Sequence, residues 1–412
     1  ATSTAIGNLN LTGNADVNVG NLNVGMNNRG EGTITITSGT LDTTGRVYIG
    51  GDEVAGEDDG TEGTVNVNGG TFTVGAGSLE VGRGGAGNLT VDSGTLEVTD
   101  GNFVVGQNHS AGRGTGDQVA TGTVVFSNGA QVDIGTTSTV NRAINFNAGG
   151  GTITQSGAST VVNVRQNINM QDEGNTGGGG FSSTYTLDGG TLNVGAGVAG
   201  GSLNLGLTNG SVSALNVNGG ELNISNNLQV AGNNAVATEP DAASGVVTIT
   251  AGVVNVGVDA GSGGAGTGRD LLFASGDNGS TGTVNISGGA LNVDDTVNFR
   301  GGTGIDTFLV SGTAAVDIGN NLDMDGGGGG NLNKLTVDGS NATFTVGGQV
   351  LLDNSAEITI NLDSAGASLI DAVGDVTLNN ADLIVDFSGS GLTSAFTLGD
   401  IDLISTDGSV IG

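Results

Sequence analysis

Apolar and polar residues alternate in short runs along almost the whole chain, and glycine interrupts these runs at regular places. The stretch 64–82, TVNVNGGTFTVGAGSLEVG, contains three such runs with glycine-rich breaks at 69–70 and 75–77. Alternation with a period of two predicts β-strands, because successive side chains point to opposite faces of a strand. Three strands and three corners describe one turn of a parallel β-solenoid.

The same unit recurs along the chain, and this repetition predicts the fold. Repeats of about 20–50 residues are typical of solenoids, in which each coil buries its apolar edge only by stacking on its neighbours. We therefore predict an all-β, single-domain parallel β-solenoid, or β-helix, of about thirteen three-stranded coils. Apolar pairs of the first strand occur at Ile34/Ile36, Val65/Val67, Leu89/Val91, Val124/Phe126, Tyr185/Leu187, Leu215/Val217, Val247/Ile249, Val284/Ile286, Phe308/Val310, Leu335/Val337 and Ile358/Ile360.

The repeat pattern divides the chain into three parts. Residues 1–31 are predicted to form an N-terminal coil or junction segment, and residues 32–356 the solenoid proper, with loop insertions after the third strand. In residues 357–412 the glycine corners become rarer and apolar positions denser, which predicts C-terminal coils of altered pattern that serve as an end junction or cap. The long loops should form one column along a single edge, because the same corner of each coil lies above the last.

Charge and composition narrow the possible functions. The chain has 412 residues with 41 Asp and Glu, 9 Lys and Arg and a net charge of −32, which argues against nucleic acid and anionic membranes as partners. No apolar run is long enough for a membrane-spanning helix, so we expect no membrane insertion. Cysteine is absent, which excludes disulfides and fits a protein exported by a bacterium to its surface or surroundings.

Residues for common catalytic chemistry are scarce. His109 is the single histidine, and the chain has no cysteine. Catalytic Ser-His-Asp and Cys-His sites and histidine-based zinc sites are therefore nearly excluded. Carboxylates are abundant, but the arginines are scattered rather than clustered with aspartate pairs. We therefore expect no enzymatic activity.

Calcium is the one cofactor that the sequence favours. Hard oxygen ligands in a flexible loop are what calcium binds, although acidic loops also serve solubility alone. Two loops carry candidate ligands, which are Asp52, Glu53, Glu57, Asp58, Asp59 and Glu62 in the first and Asp323 and Asp325 in the second.

The two ends of the predicted solenoid lack a recognisable cap. An open strand edge invites pairing with another strand, and a head-to-tail contact between copies that does not close gives a filament. No amphipathic helix is predicted at either end, so three explanations stay open: the caps are irregular loops, another domain was removed, or the ends pair with copies of the same protein. The predicted polymer junction consists of Ile6, Leu9, Leu11, Val385, Phe387, Leu403 and Ile404.

The repeat resembles a known class of surface proteins. Segments such as GTVNVNGGTFTVG and ALNVNGGELNIS follow the pattern of the β-strand repeats in bacterial autotransporter passengers and related exported surface proteins. This resemblance covers most of residues 32–352. It implies a right-handed β-helix on the cell surface, often adhesive or matrix-forming.

These observations predict a structural subunit of an extracellular filament or matrix, whose main partners are copies of itself. The first alternative is a monomeric adhesin that binds glycans or other surface proteins through its loop column. The second is a polysaccharide lyase or hydrolase, which requires an aspartate–arginine cluster in a groove.

Overall fold

The computed structural model is an all-β parallel solenoid, as the repeat predicts. Strand pairing joins corresponding strands of successive coils into three parallel sheets of fourteen strands each, so the solenoid has fourteen coils, one more than expected. Within the described residues there is no helix that could span a membrane. The structure describes residues 6–26, 30–51, 61–107, 120–136, 142–147, 149–170, 182–197, 200–207, 210–232, 242–258, 269–275, 279–300, 304–324, 333–363, 366–367, 369–386 and 404–411.

Sheet 1 contains the first strand of each coil. Its strands pair in parallel, and Gly366–Ala367 adds a short antiparallel pairing to the thirteenth strand. The strands are Ile6–Leu11, Glu31–Ile36, Glu62–Val67, Ala86–Asp92, Thr121–Ser127, Gly151–Gln155, Ser182–Leu187, Val212–Val217, Ser244–Ile249, Thr281–Ile286, Thr307–Ser311, Asn333–Asp338, Ala356–Asp363 and Asp382–Asp386.

Sheet 2 contains the second strand of each coil. Its strands are Asp16–Val19, Thr40–Thr43, Thr71–Val74, Thr95–Val98, Gln131–Ile134, Val161–Val164, Thr191–Val194, Glu221–Ile224, Val253–Val256, Ala290–Val293, Ala315–Ile318, Thr343–Val346, Leu369–Ala372 and Ile404–Thr406.

Sheet 3 contains the third strand of each coil. Its strands are Leu22–Val24, Val47–Ile49, Leu79–Arg83, Phe103–Gln107, Ile144–Phe146, Ile168–Met170, Leu203–Leu205, Leu228–Gly232, Leu271–Ser275, Val297–Phe299, Leu322–Asp323, Val350–Leu352, Val376–Leu378 and Val410–Ile411.

The core is a column of inward-facing side chains enclosed by the three sheets. The predicted first-strand pair Val65/Val67 and the second-strand pair Phe72/Val74 are fully buried, and each stacks on the equivalent pair of the next coil. Phe273 stacks on Phe299, with ring centroids 4.2 Å apart. Full burial of such a side chain contributes about 1.5–3 kcal/mol, so repetition along the column stabilises the stack.

The corner between sheet 3 and sheet 1, which we call the glycine seam, packs backbone against backbone. Gly50 follows a sheet 3 strand with φ +79°, and Gly63 is the second residue of the next sheet 1 strand. A Cβ on Gly63 would lie 2.3 Å from both Gly50 N and Val24 O. Glycine is therefore required there by contact, and at Gly50 also by conformation.

Insertions occur at two corners of the coil. In coils 2 to 8 the long connections at the seam alternate with short ones, and the long ones lie between residues 49 and 62, 107 and 121, 170 and 182, and 232 and 244. Insertions also occur between strands two and three of coils 5, 7 and 9, in residues 135–143, 195–202 and 257–270.

Candidate functional site

Six of the eight predicted calcium ligands lie outside the described residues. They are Asp52, Glu53, Glu57, Asp58, Asp59 and Asp325. Glu62 is exposed at the start of a sheet 1 strand in coil 3, and Asp323 lies in sheet 3 of coil 11. Eight coils at about 4.8 Å each separate these two carboxylates, so they cannot share one ion. No group of three or more potential metal ligands occurs in the described part of the chain. Calcium binding stays a prediction.

The predicted junction residues lie in the terminal coils. Leu9 is 38% exposed, whereas Leu11 is buried against the second coil. Val385 and Ile404 of the last coil are half-buried and pair with coil 13. Ile6 belongs to the first strand, but its side chain is outside the described part, as are Phe387 and Leu403.

Among the described residues, both terminal coils present inward-facing apolar side chains that are paired with a neighbouring coil on one side. Leu383 is 42% exposed and Val410 is 62% exposed, although their partners in coil 13, Ile358 and Val376, are fully buried. Leu9 in the first coil is the equivalent of fully buried Val65 two coils further on. The apolar core is therefore open at each end of the described stack.

The outer face of sheet 2 carries a ladder of hydrogen-bonded carboxamides. Asn163, Asn193, Asn223, Asn255 and Asn292 occupy one position in five successive coils. The Nδ2 of each donates to an oxygen of the coil before, over 2.7–3.1 Å, and Asp133 accepts the first bond. Such ladders stabilise stacked identical strands. The sequence predicts their polar character, but their direction follows only from side-chain geometry.

A second ladder lies at the corner between sheets 2 and 3, on the residue that precedes each sheet 3 strand. The side-chain Oδ1 of Asn167 accepts a hydrogen bond from Ser202 N at 2.9 Å, and Asn227 accepts one from Asp270 N at 2.9 Å. Asp270 in turn accepts from Thr296 N at 3.1 Å, and burial raises the pKa of this carboxyl. Asparagine and aspartate here satisfy backbone donors of the following coil.

The residue that follows each sheet 2 strand forms an outer column along this second corner. Glycine and polar residues alternate in this column over seven coils, in the order Gly135, Arg165, Gly195, Ser225, Gly257, Asp294 and Gly319. Gly135, Gly195 and Gly257 have positive φ and open the three insertions. Each polar residue lies in the tight coil that follows one of these insertions.

A cleft of about 400 Å³ lies at this column around Arg165. Coil 5 contributes Asp133, Ile134, Gly135 and Thr136, coil 6 contributes Asn163 and Arg165, and coil 7 contributes Ala196 and Gly197. The tight corner of coil 6 is thus recessed between the insertions of its two neighbours. The sequence analysis missed this cleft, because its signal is visible only when the coils are aligned strand by strand.

Two polar side chains inside the solenoid, Tyr185 and Gln155, form a hydrogen bond with each other. The hydroxyl of Tyr185 donates to Gln155 Oε1 at 2.8 Å, and Gln155 Nε2 donates to Thr191 O at 2.9 Å. Both side chains are fully buried, and burial raises the pKa of Tyr185. With both partners hydrogen-bonded and no access to solvent, this pair has a structural role.

Comparison with known proteins adds little to this description. The chain matches no known protein family and no curated protein. Among solved structures it is similar to a TibC-catalysed, hyper-glycosylated fragment of TibA, with 15% sequence identity and a TM-score of 0.29. The alignment covers 94% of this chain and 99% of that chain. The assignment of the chain as a three-sheet parallel β-solenoid therefore rests on its own strand pairing.

Proposed function

We propose that the chain is a non-enzymatic structural rod of the bacterial cell exterior, which stacks head to tail with copies of itself. The observation that carries this proposal is the open apolar core at both terminal coils, where Leu9, Leu383 and Val410 are 38%, 42% and 62% exposed. A second copy placed end to end would continue all three sheets and cover these residues. Burial of apolar area at about 25 cal/mol per Å² favours such a contact.

The resemblance of the repeat to exported surface proteins supports the location, and the net charge of −32 supports solubility there. Fourteen coils at about 4.8 Å each give a rod about 67 Å long. Electron microscopy of the purified chain should show filaments with this axial repeat. Filaments that dissolve in chelator would place calcium at or near the junction. Isolated rods under all conditions, with and without calcium, would show that the proposal is wrong.

The glycine seam offers a variant that separates stacking from folding. Gly7 is the first member of the column that contains Gly63, but a Cβ on Gly7 would meet nothing within 4 Å, since Gly7 lies in the first described strand of sheet 1. In a continuous head-to-tail stack, the preceding copy would occupy this space. We expect Gly7→Val to leave the melting temperature unchanged and to abolish filaments.

The matched control is Asn10→Val on the same strand, where the side chain points outward and should leave stacking intact. Filaments of Gly7→Val with unchanged spacing would contradict a junction that continues the seam.

A monomeric adhesin is the second candidate, and the placement of insertions favours it. The long connections of coils 2, 4, 6 and 8 all leave from the corner between sheets 3 and 1. Loops on one edge of a repeat protein often form the binding surface. Replacing residues 233–241 with a Gly-Ser linker of equal length should reduce binding to cells or glycans under this proposal. Unchanged binding after the same exchange in each of the four connections would refute it.

A further inference from the structure

The outer column of the second corner contains three polar residues in equivalent surroundings. Arg165, Ser225 and Asp294 each lie between two glycines of the column, with one coil above and one below. A glycine neighbour has no side chain to cover the polar group, so each of the three groups needs another partner. Two of them find it within the chain.

Ser225 and Asp294 are satisfied by the insertions beside them. Ser225 Oγ accepts a hydrogen bond from Gly201 N at 3.1 Å and fills the space next to Gly195. Asp294 forms an ion pair with Arg269, Nη1 to Oδ2 at 3.3 Å, and Arg269 also donates to Gly257 O at 2.8 Å. In both places, residues from the insertion of the preceding coil cover the tight corner.

Arg165 is the exception. Its guanidinium has no hydrogen-bond or ion-pair partner among the described residues, although it is half-buried and lines the cleft. The arginine of the adjacent insertion, Arg142, is turned to the other side, where its Nη2 lies 3.0 Å from Asp100 Oδ1. A cation in a chain with 41 acidic residues would be expected to pair with one of them.

The nearby carboxylates are already engaged. Asp133 accepts from Asn163 at 2.8 Å, and Glu97 accepts from Thr136 at 2.7 Å. Asp100 binds Arg142. None of these carboxylates is paired with Arg165 in the described structure, so its guanidinium is available to an anion from outside the chain. Arginine binds carboxylates through two parallel hydrogen bonds, which makes it suited to such a ligand.

We propose that this cleft binds the carboxylate of an acidic saccharide, with Arg165 as the residue that holds the anion. A volume of about 400 Å³ lies in the range of small-ligand sites and suits one or two sugar rings. Asp133 retains acceptor capacity for sugar hydroxyls, because an ionised carboxylate accepts several hydrogen bonds. Gly135, Ala196 and Gly197 leave the rim free of large side chains. This proposal is independent of end-to-end stacking.

The test is titration calorimetry of the whole chain with trigalacturonate, and with maltotriose as a neutral probe of similar size. We expect the wild type to bind trigalacturonate and not maltotriose. Arg165→Gln should weaken binding by about tenfold or more, because one charge-assisted bidentate contact is lost. Ala196→Glu should have the same effect by placing a competing carboxylate at the cleft.

Arg300→Gln is the matched control, since it removes one positive charge from an exposed position in coil 10. Its affinity should equal that of the wild type. Equal affinity of Arg165→Gln, or no binding of trigalacturonate, would overturn the proposal. If sulfated trisaccharides bind in an Arg165-dependent manner and trigalacturonate does not, the anion is a sulfate and the carboxylate assignment is wrong. Circular dichroism of each variant confirms that the fold is intact.

Discussion

The two corners that accept insertions hold neighbouring coils together through different contacts. At the glycine seam, backbone atoms of neighbouring coils meet so closely that a Cβ on Gly63 would lie 2.3 Å from two of them. At the second corner, side chains of Asn167 and Asn227 bridge successive coils instead. Gly63 thus depends on the absence of a side chain, whereas Asn167 and Asn227 act through side-chain hydrogen bonds.

This difference explains where substitutions should matter. Gly63 has no space for a side chain and no means of local adjustment, because its neighbours are backbone atoms held in the sheets. Asn167 can lose its hydrogen bond and still keep its coil geometry. Long insertions are thus accommodated at two corners whose residues differ in their sensitivity to mutation.

The largest expected effect is Gly63→Ala in the seam. The new Cβ would overlap Gly50 N and Val24 O, so strands must separate, and we expect a loss of about 3 kcal/mol or more in the free energy of unfolding. Gly7→Ala is the matched control in the same column, with nothing within 4 Å. Denaturant unfolding of both variants tests this, and equal stability of the two would refute the contact argument.

Asp306 provides a pH-dependent test of the seam, because it occupies a column position held by glycine in most coils. Its buried carboxylate accepts a hydrogen bond from Gly282 N at 2.6 Å, and burial raises its pKa to about 7. In the unfolded chain the carboxyl loses its proton near pH 4, whereas in the folded chain it does so near pH 7. Stability should therefore fall by a few kcal/mol between about pH 4 and pH 7 and level off above.

Asp306→Asn keeps the acceptor and removes the charge, so this part of the pH dependence should disappear. The comparison is the unfolding free energy of the wild type and the variant at pH 5 and pH 8. Asp382→Asn, at an exposed position, should retain the wild-type slope. If the unfolding free energy of all three proteins changes by the same amount between pH 5 and pH 8, Asp306 is not the cause of the pH dependence.

A moderate effect is expected for Asn167→Ala at the second corner. The substitution removes the acceptor for Ser202 N and should cost about 1 kcal/mol, the usual net value of one hydrogen bond. Asn167→Asp keeps the acceptor and should stay close to wild type. A loss comparable to that of Gly63→Ala would remove the distinction between the two corners.

The smallest effect concerns the direction of the sheet 2 ladder. Asn292 is followed by Asp317, a carboxylate whose Oδ1 accepts from Thr345 at 2.7 Å. Asp317→Asn would add an Nδ2 donor toward Asn292 and should stabilise the chain by about 0.5–1 kcal/mol. Asn223→Asp removes a donor within the ladder and should destabilise it by a similar amount or more. If the two changes have the same sign, the ladder does not have the proposed direction.

Much of the fold could be predicted from the sequence because each coil repeats the same local pattern of alternating apolar and polar residues with glycine at the corners. Alternating pairs such as Val65/Val67 identify the inward face, and they are fully buried. The count was one coil short because the last coil lacks the glycine corners that mark the others. Its strands Asp382–Asp386, Ile404–Thr406 and Val410–Ile411 are recognised by their pairing with coil 13.

The candidate sites were less accessible to prediction. The acidic loop at 52–62 stands out in the sequence by composition alone, and most of it lies outside the described residues. Nothing in the sequence marks Arg165 as a binding residue, because the residues that surround it come from three different coils. Its isolation depends on Arg142 binding Asp100, which is a matter of side-chain direction.

The sequence by itself determined the strand periodicity, the inward and outward faces, and the three-sided coil, because these follow from local alternation and glycine placement. Only the tertiary structure decided the register between coils. Register sets which residues share a column, and therefore which glycine meets backbone, which asparagine meets asparagine and which arginine is left without a partner. The physical reason is that coils contact one another across connections of variable length, so residues that touch have no constant separation along the chain.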